Sequence, residues 1–353
     1  MPSGLFGITH SNRAAEDHWG KNSFNSSFPT SVACYMIAHN IPAIYNKLEL
    51  DNKQLRVVSS EISMREVFCC GDMCLKELDF HFESRFEPYQ KYSLEAIDGI
   101  DLVVKSAKDK RFLAPIEIKL TVLPTSQTSH KPENRWGCEL VIRSATTSYC
   151  ALGMFDSVKG CAKEVREIFD PVCSGVESWT NGFEMNLKTP ALTESINEFE
   201  KQFLSHQKPL LMQTIWKTQG QSPELSDNAF DVVVWSDYAF SRLFLDSAKK
   251  PDKNGISRPM RASARLAQCL WELSKSGRTN MNAIYKQITF NRQNDKEFAI
   301  GGSKWCRYIT SDRLLKPILT KEVLGKIIEP GYIELLKPER RFDQTLYFSR
   351  KQQ

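Results

Sequence analysis

Several features that would fix the class of a protein at once are missing from this sequence. No run of ~18 apolar residues occurs, and the best stretch, Pro29 to Tyr45, is broken by His39, Asn40 and Pro42, so no membrane span is expected. The opening MPSGLFGITHSNR has no basic segment followed by an apolar one, so no secretory signal is expected either. Internal repeats, low-complexity tracts and long Gly/Ser linkers are absent. Charge of one sign is also lacking, with 47 Lys+Arg against 42 Asp+Glu and a net of +5. What is present is ordinary globular material: 353 residues, 41% hydrophobic and 25% charged, enough for a real core. At about 150 residues per domain this is two domains, or one core with large elaborations. Ten cysteines without an export route are expected as reduced thiols in a cytoplasm rather than as a disulfide framework.

The charge is unevenly spread. From Lys249 to Gln353 there are 22 Lys+Arg and 10 Asp+Glu, a net of +12, which leaves −7 for residues 1–248. The break Lys249–Arg258 (KKPDKNGISR) is the one good boundary, so residues 1–248 are expected as a core and 249–353 as a basic C-terminal subdomain. A basic third suits a polyanionic partner, or is simply a solvated basic surface.

The chain alternates strand and helix signals. A helix is expected at Thr30 to His39, opened by Pro29 and Thr30. Leu78, Phe80 and Phe82 alternate with Glu77, Asp79, His81 and Glu83, the period of a half-buried strand. Strands follow at Ile100 to Val104 and Phe112 to Leu123, joined by the polar SAKDKR, so the three should form an antiparallel meander. Cys138 to Phe155 and Glu194 to His206 read as helices, Pro209 to Trp216 and Phe230 to Trp235 as strands. Asp237 to Ala248, Arg261 to Lys275 and Met281 to Ile288 read as helices, the last two in helix-turn-helix order with a long turn. The class expected is α/β of the α+β type, a mixed central sheet flanked by helices.

Glu117 and Lys119 in PIEIKL lie two apart on a strand, so both leave the same face. Asp101 opens the preceding strand, where a hairpin can set its carboxylate beside Glu117. Two carboxylates plus the Ile118 carbonyl suit a hard divalent ion such as Mg²⁺. Lys119 then faces the same cavity, where it can orient or help deprotonate a metal-activated water and can also neutralise charge growing on a phosphate. The bland alternative is an exposed salt-bridging stripe, against which stands the apolar character of the rest of that strand.

The residues GIDLVV and PIEIKL resemble the PD-(D/E)xK nuclease signature, with Asp101, Glu117 and Lys119 at its three positions and Ile100 where the signature has Pro. More narrowly, LFGITHSNR, HWGKNSFNSSFPTSVACY, IEIKLTVLPTSQT and RWGCELVIRSAT resemble the HindVP family of type II restriction endonucleases. The resemblance covers the first half of the chain and little after residue 250. It implies a restriction-endonuclease-like core and a Mg²⁺-dependent homodimer that cuts both strands of double-stranded DNA. The target implied is a short, partly degenerate palindrome of the GRCGYC type, with a cognate DNA methyltransferase protecting host sites. Nucleases of this class often add an acid, for which Asp98, Glu95, Glu83 and Glu61 are candidates. Asp98 is nearest but doubles as the turn former of Asp98-Gly99, and Glu61 is the next to test.

Candidate DNA contacts are Asn12, Arg13, Lys21, Asn22 and Asn25, side chains suited to base edges, or else a hydrogen-bonded cap on the core. Thr121, Thr125 and Gln127 are candidates for phosphates, as are Arg258, Arg261, Arg265, Lys304, Arg307 and Arg313 in the basic third. Trp305 and Tyr308 among them are expected in the core. Cys69, Cys70 and Cys74 with His81 lack a second ligand pair at zinc spacing and read better as buried thiols. His10, His18 and Asp17 lack a nucleophile and read as polar loop residues. Two rivals share these features: a repair or junction-resolving nuclease, and a DNA-binding protein without chemistry.

Overall fold

The computed structural model describes residues 21–123, 138–219, 224–248, 256–289, 296–309 and 319–323. The order is α1 (Lys21–Ala38), β1 (Ala43–Asp51), β2 (Gln54–Ile62), α2 (Met64–Val67), β3 (Leu78–Ser84), β4 (Ile100–Ser106), β5 (Phe112–Leu123) and β6 (Leu140–Arg143). Then come α3 (Ser144–Val158), α4 (Ala162–Cys173), α5 (Gly182–Gln202), β7 (Pro209–Gln219), β8 (Glu224–Ser236), α6 (Asp237–Ala248) and α7 (Arg258–Ser276). Last are α8 (Met281–Gln287), β9 (Lys296–Ile300), α9 (Gly302–Trp305) and β10 (Leu319–Thr320).

Eight strands form one mixed sheet in the order β2-β1-β8-β7-β5-β4-β3, with β10 paired to β8. The β3–β4–β5 meander is antiparallel throughout, as its alternation and short connection predict. It joins the rest of the sheet through a parallel β5–β7 pairing. Strict alternation along β4 and β5 sends Leu102, Val104, Ile116 and Ile118 to one apolar layer, with Phe28, Val32 and Met36 of α1. The opposite face carries the larger layer, built from α3 to α8. Mixed sheet and helical flanks together are the α/β architecture expected.

Several local readings are corrected. The first helix starts at Lys21 and runs through Pro29, because Phe28 is buried beside Phe230, ring centroids 5.6 Å apart, and packing overrides the local breaker. Cys138 to Phe155 is not one helix. Leu140 and Ile142 are buried and alternate as β6, paired to β9, and the helix begins only at Ser144. The β1–β2 hairpin went unread, although Asn52 and Lys53 with φ of 48° and 65° make a two-residue turn between alternating runs. The amphipathic α4 went unread as well.

Residues on the two sides of the expected boundary at 249 share one hydrophobic cluster, and α7 packs against α3, α4, α5 and α6. Among the described residues, the two sides contribute to one shared core. The helix-turn-helix reading meets the same fact, since α7 is buried along most of its length inside that layer. None of the ten cysteines is in a disulfide, with Cys70 buried but Cys69 and Cys74 exposed. Among the described residues no helix is long and apolar enough to cross a membrane.

Candidate active site

The site is built on adjacent strands. The β4–β5 pairing reaches Leu102 opposite Ile116, and the same register sets Asp101 opposite Glu117. There the Asp101 side chain takes over from the ladder: the Ile118 N–H donates to Asp101 Oδ2 at 2.8 Å. Glu117, Lys119 and Thr121 alternate onto the face that Asp101 shares. Lys119 Nζ then bridges both acids, donating to Glu117 Oε1 and lying 3.4 Å from Asp101 Oδ2. Glu117 is sealed, with 5% of its side chain exposed, whereas Lys119 and Asp101 keep 19% and 21%. The cluster therefore opens to solvent past Asp101 and Lys119.

Burial and then the neighbouring Asp101 charge push the Glu117 carboxyl well above the usual carboxylate range, against the pull of Lys119. Burial alone would lower the Lys119 ammonium, but Glu117 and Asp101 outweigh it and hold its pKa above the ordinary lysine value. Lys119 is thus an ammonium here. On the helical side, Thr146 in the first turn of α3 is fully buried and neighbours Glu117. Tyr149, one turn later, accepts a hydrogen bond from the Phe86 N–H and donates to the Asp98 carbonyl, each at 3.0 Å. It thereby ties the two ends of the β3–β4 connection beside Asp101.

Of the candidates for a further acid, the structure brings Glu83 to the site. Ser84 pairs with Ile100 and Phe82 with Leu102, so Glu83 stands beside Asp101 in the next strand. Partial burial and the Asp101 charge raise its carboxyl, opposed by Lys119 and Arg143. Glu83 has a left-handed φ of 47°, and a Cβ on Gly99 would meet its carbonyl oxygen at 2.9 Å, so glycine is required there by close approach. The other three are displaced. Glu61 lies on the edge strand β2, with β1, β8 and β7 between it and β5, about 19 Å away at strand spacing. Asp98 is exposed and contributes its backbone carbonyl to Tyr149. Glu95 is held by the amides of Asn280 and Asn282 at 2.8 and 2.6 Å. Glu83 was legible only as part of a polar strand face, because nothing local distinguishes it from Asp79 or His81.

The expected DNA contacts divide. Arg261 and Arg265 are buried and turned inward, which corrects their reading as phosphate ligands. Arg261 Nη2 donates to the Glu297 carbonyl at 2.9 Å, while Arg265 pairs with the Glu297 carboxylate and donates to the Tyr285 carbonyl at 2.7 Å. Lys304 and Arg307 are exposed. Thr121 is buried and accepts from Gln213 Nε2 at 3.0 Å, whose Oε1 accepts from Trp235 Nε1 at 3.0 Å. Lys21, Asn22 and Asn25 fall in α1. Asn12, Arg13, His10, His18, Asp17, Thr125, Gln127 and Arg313 lie outside the described residues. Trp305 is in the core as expected, its Nε1 donating to the Cys138 carbonyl at 2.8 Å. No group of three or more His, Cys, Asp or Glu poised to hold a metal occurs among the described residues, Cys69, Cys70, Cys74 and His81 included.

The family model for HindVP restriction endonuclease matches residues 19–352. This chain belongs to the HindVP restriction endonuclease family. The match extends through the basic third, where the sequence resemblance had faded. The chain is 34% identical over 345 residues to the type II restriction enzyme HgiDI of Herpetosiphon aurantiacus, covering 97% of this chain and 95% of that one. It is 32% identical over 348 residues to a protein of Haemophilus influenzae described as probable type II restriction enzyme HindVP, covering 98% and 93%. No solved structure matches. In this HindVP-family restriction endonuclease, Lys119 bridges the strand-borne acids Asp101 and Glu117.

Proposed function

We propose that this enzyme is a type II restriction endonuclease that hydrolyses double-stranded DNA at a short, partly degenerate palindrome, of the GRCGYC type, using Mg²⁺ at Asp101, Glu117 and the Ile118 carbonyl. The observation that carries the reading is the Lys119 ammonium bridging two carboxylates from adjacent strands at the mouth of an otherwise apolar layer. One cation already sits between these oxygens, and the acids still outnumber it, so the site retains demand for positive charge. The donors are hard oxygens, the chemistry that a small divalent ion prefers. Bound there, Mg²⁺ would supply a more acidic water and neutralise charge on the phosphate.

The chain's own residues do the rest. Asp101 is fixed by the Ile118 N–H, so its second oxygen is presented without rotamer search. Lys119, held as an ammonium, orients the attacking water and balances charge growing on the phosphate rather than serving as the base. Water attacks phosphorus in line and the bond to the 3′ oxygen breaks, leaving a 5′-phosphate and a 3′-hydroxyl. A palindromic target demands two-fold symmetry, hence a homodimer, and a sequence-specific cutter requires a methyltransferase to protect its host.

Digestion of a defined plasmid with Mg²⁺, followed by sequencing of the ends, tests this. Discrete fragments sharing one palindrome are expected, abolished by Lys119→Ala and by Asp101→Ala while DNA binding remains. Cutting only at mismatches or junctions, or full Mg²⁺-dependent cleavage by either variant, overturns it.

A further inference from the structure

Arg143 ends β6 and precedes the first residue of α3. It is exposed, and among the described residues its guanidinium has no hydrogen bond or ion pair, although its charge reaches Glu83. This exposed cation stands unpaired among the described residues, with its charge reaching a site already rich in acid. Its place follows from the helix it introduces. Thr146 is fully buried and neighbours Glu117, so the start of α3 lies over the carboxylates. Arg143, three residues earlier, stands at the same end on the solvent side. The first turn of α3 has no acidic residue and no side-chain cap, so its free N–H groups and the positive end of its dipole add to the same field.

Charge accounting gives this cation a purpose. Glu83, Asp101 and Glu117 carry three carboxyls against the single ammonium of Lys119, and a DNA phosphate adds another negative charge. A guanidinium presents a planar fork matched to two phosphate oxygens, which an ammonium cannot do. Its mounting comes from β9: Leu140 to Ile142 pair with Ile300 to Phe298, Arg143 pairs with Lys296 across a register shift, and Trp305 donates to the Cys138 carbonyl just before the strand begins. Residues 296–305 of the basic third thus hold Arg143 in position without touching DNA themselves.

We propose that Arg143 is a catalytic residue that binds the non-bridging oxygens of the scissile phosphate and stabilises the charge growing there during hydrolysis. The assignment rests on Asp101, Glu117 and Lys119 being the hydrolytic site. Asp101 and Glu117 face the attacking water, and Arg143 faces the phosphate from the α3 side.

The test is single-turnover plasmid cleavage by the full-length wild type, Arg143→Ala, Arg143→Lys and Lys119→Ala, with affinity for the same DNA measured without divalent ions and folding checked by thermal melting. Arg143→Ala should slow cleavage about 100- to 1,000-fold, the usual effect of removing one preorganised charge stabiliser. Its DNA affinity should fall by less than about tenfold, the cost of about one phosphate contact. Arg143→Lys should recover part of the rate. Cleavage by Arg143→Ala within about threefold of wild type, or a rate loss matched by an equal loss of affinity, overturns the proposal while leaving the Lys119 site intact. Full cleavage by Lys119→Ala instead overturns the underlying site.

Discussion

Two of the clusters that bury a glutamate against a cation in this protein are built for different ends. In the helical layer, Glu297 of β9 meets two arginines of α7, with Arg265 paired to its carboxylate and Arg261 to its carbonyl. Glu297 is 1% exposed and Arg265 6%, and further backbone carbonyls at Tyr285 and Thr289 accept from the guanidiniums. Cations outnumber acids, and the surplus is absorbed by fixed carbonyls in a sealed space. At the sheet, Glu117 meets Lys119, but Asp101 and Glu83 add acids instead of carbonyls, and the cluster opens to solvent. The sealed cluster, its surplus charge held on carbonyls, ties α7 to β9. An open, acid-rich one remains short of positive charge, which is the electrostatic condition for taking up a metal ion and a phosphate.

The comparison can be broken from either side. The largest effect expected is chemical. Glu117→Gln keeps the shape of the buried side chain but removes a hard anionic donor, so plasmid cleavage should fall on the order of 1,000-fold, with the melting temperature held or raised. A large loss of folding stability with that change would put Glu117 in the structural class. The converse substitution, Arg265→Met, should leave Glu297 without its partner and cost about 3–5 kcal/mol in denaturant unfolding. A neutral result would mean that the α7–β9 tie is not electrostatic.

A subtler pH test uses Asp237, another buried acid, which among the described residues has no cationic side chain in hydrogen-bonding range. Its Oδ1 accepts from the Lys208 and Tyr238 N–H groups, and burial pushes its carboxyl up to about 7, against those hydrogen bonds. The folded state therefore holds a proton that the unfolded chain has released, and stability falls as pH rises from about 4 to 7. Asp237→Asn keeps the acceptor and removes the charge, so it should melt about 2–4 °C higher than wild type at pH 8 and level with it at pH 4. Equal melting at both pH values would deny that the group is protonated in the fold. The smallest effect belongs to an exposed pair on one helix, Arg166 and Asp170, 3.1 Å apart. Arg166→Ala should cost no more than about 0.5 kcal/mol by chemical denaturation, a baseline against which the buried clusters are measured.

Much of this was legible in the sequence where the interactions are local. Period two placed Glu117 and Lys119 on one face, the short SAKDKR connection put Asp101 on the neighbouring strand, and β5 and α6 were read to the residue. The β6 strand was hidden because four residues of CELVIRSATTSY fit helix and strand periods alike, and only the partner β9, more than 150 positions on, decides between them. Arg261 and Arg265 read as DNA ligands for the same reason. Clustered arginines look alike on an outward face and on an inward one.

The sequence by itself determined the chemistry of the candidate site and the hairpin that assembles it, because alternation and short connections act within some twenty residues. The tertiary structure alone decided that Glu83 and not Glu61 stands beside Asp101, that two arginines of the basic third face inward, and that Arg143 lies where its charge reaches Glu83. Each of those depends on strand order across the sheet or on the seating of a helix. Such placements come from burying apolar faces against partners far along the chain, a global free-energy balance that no local pattern encodes.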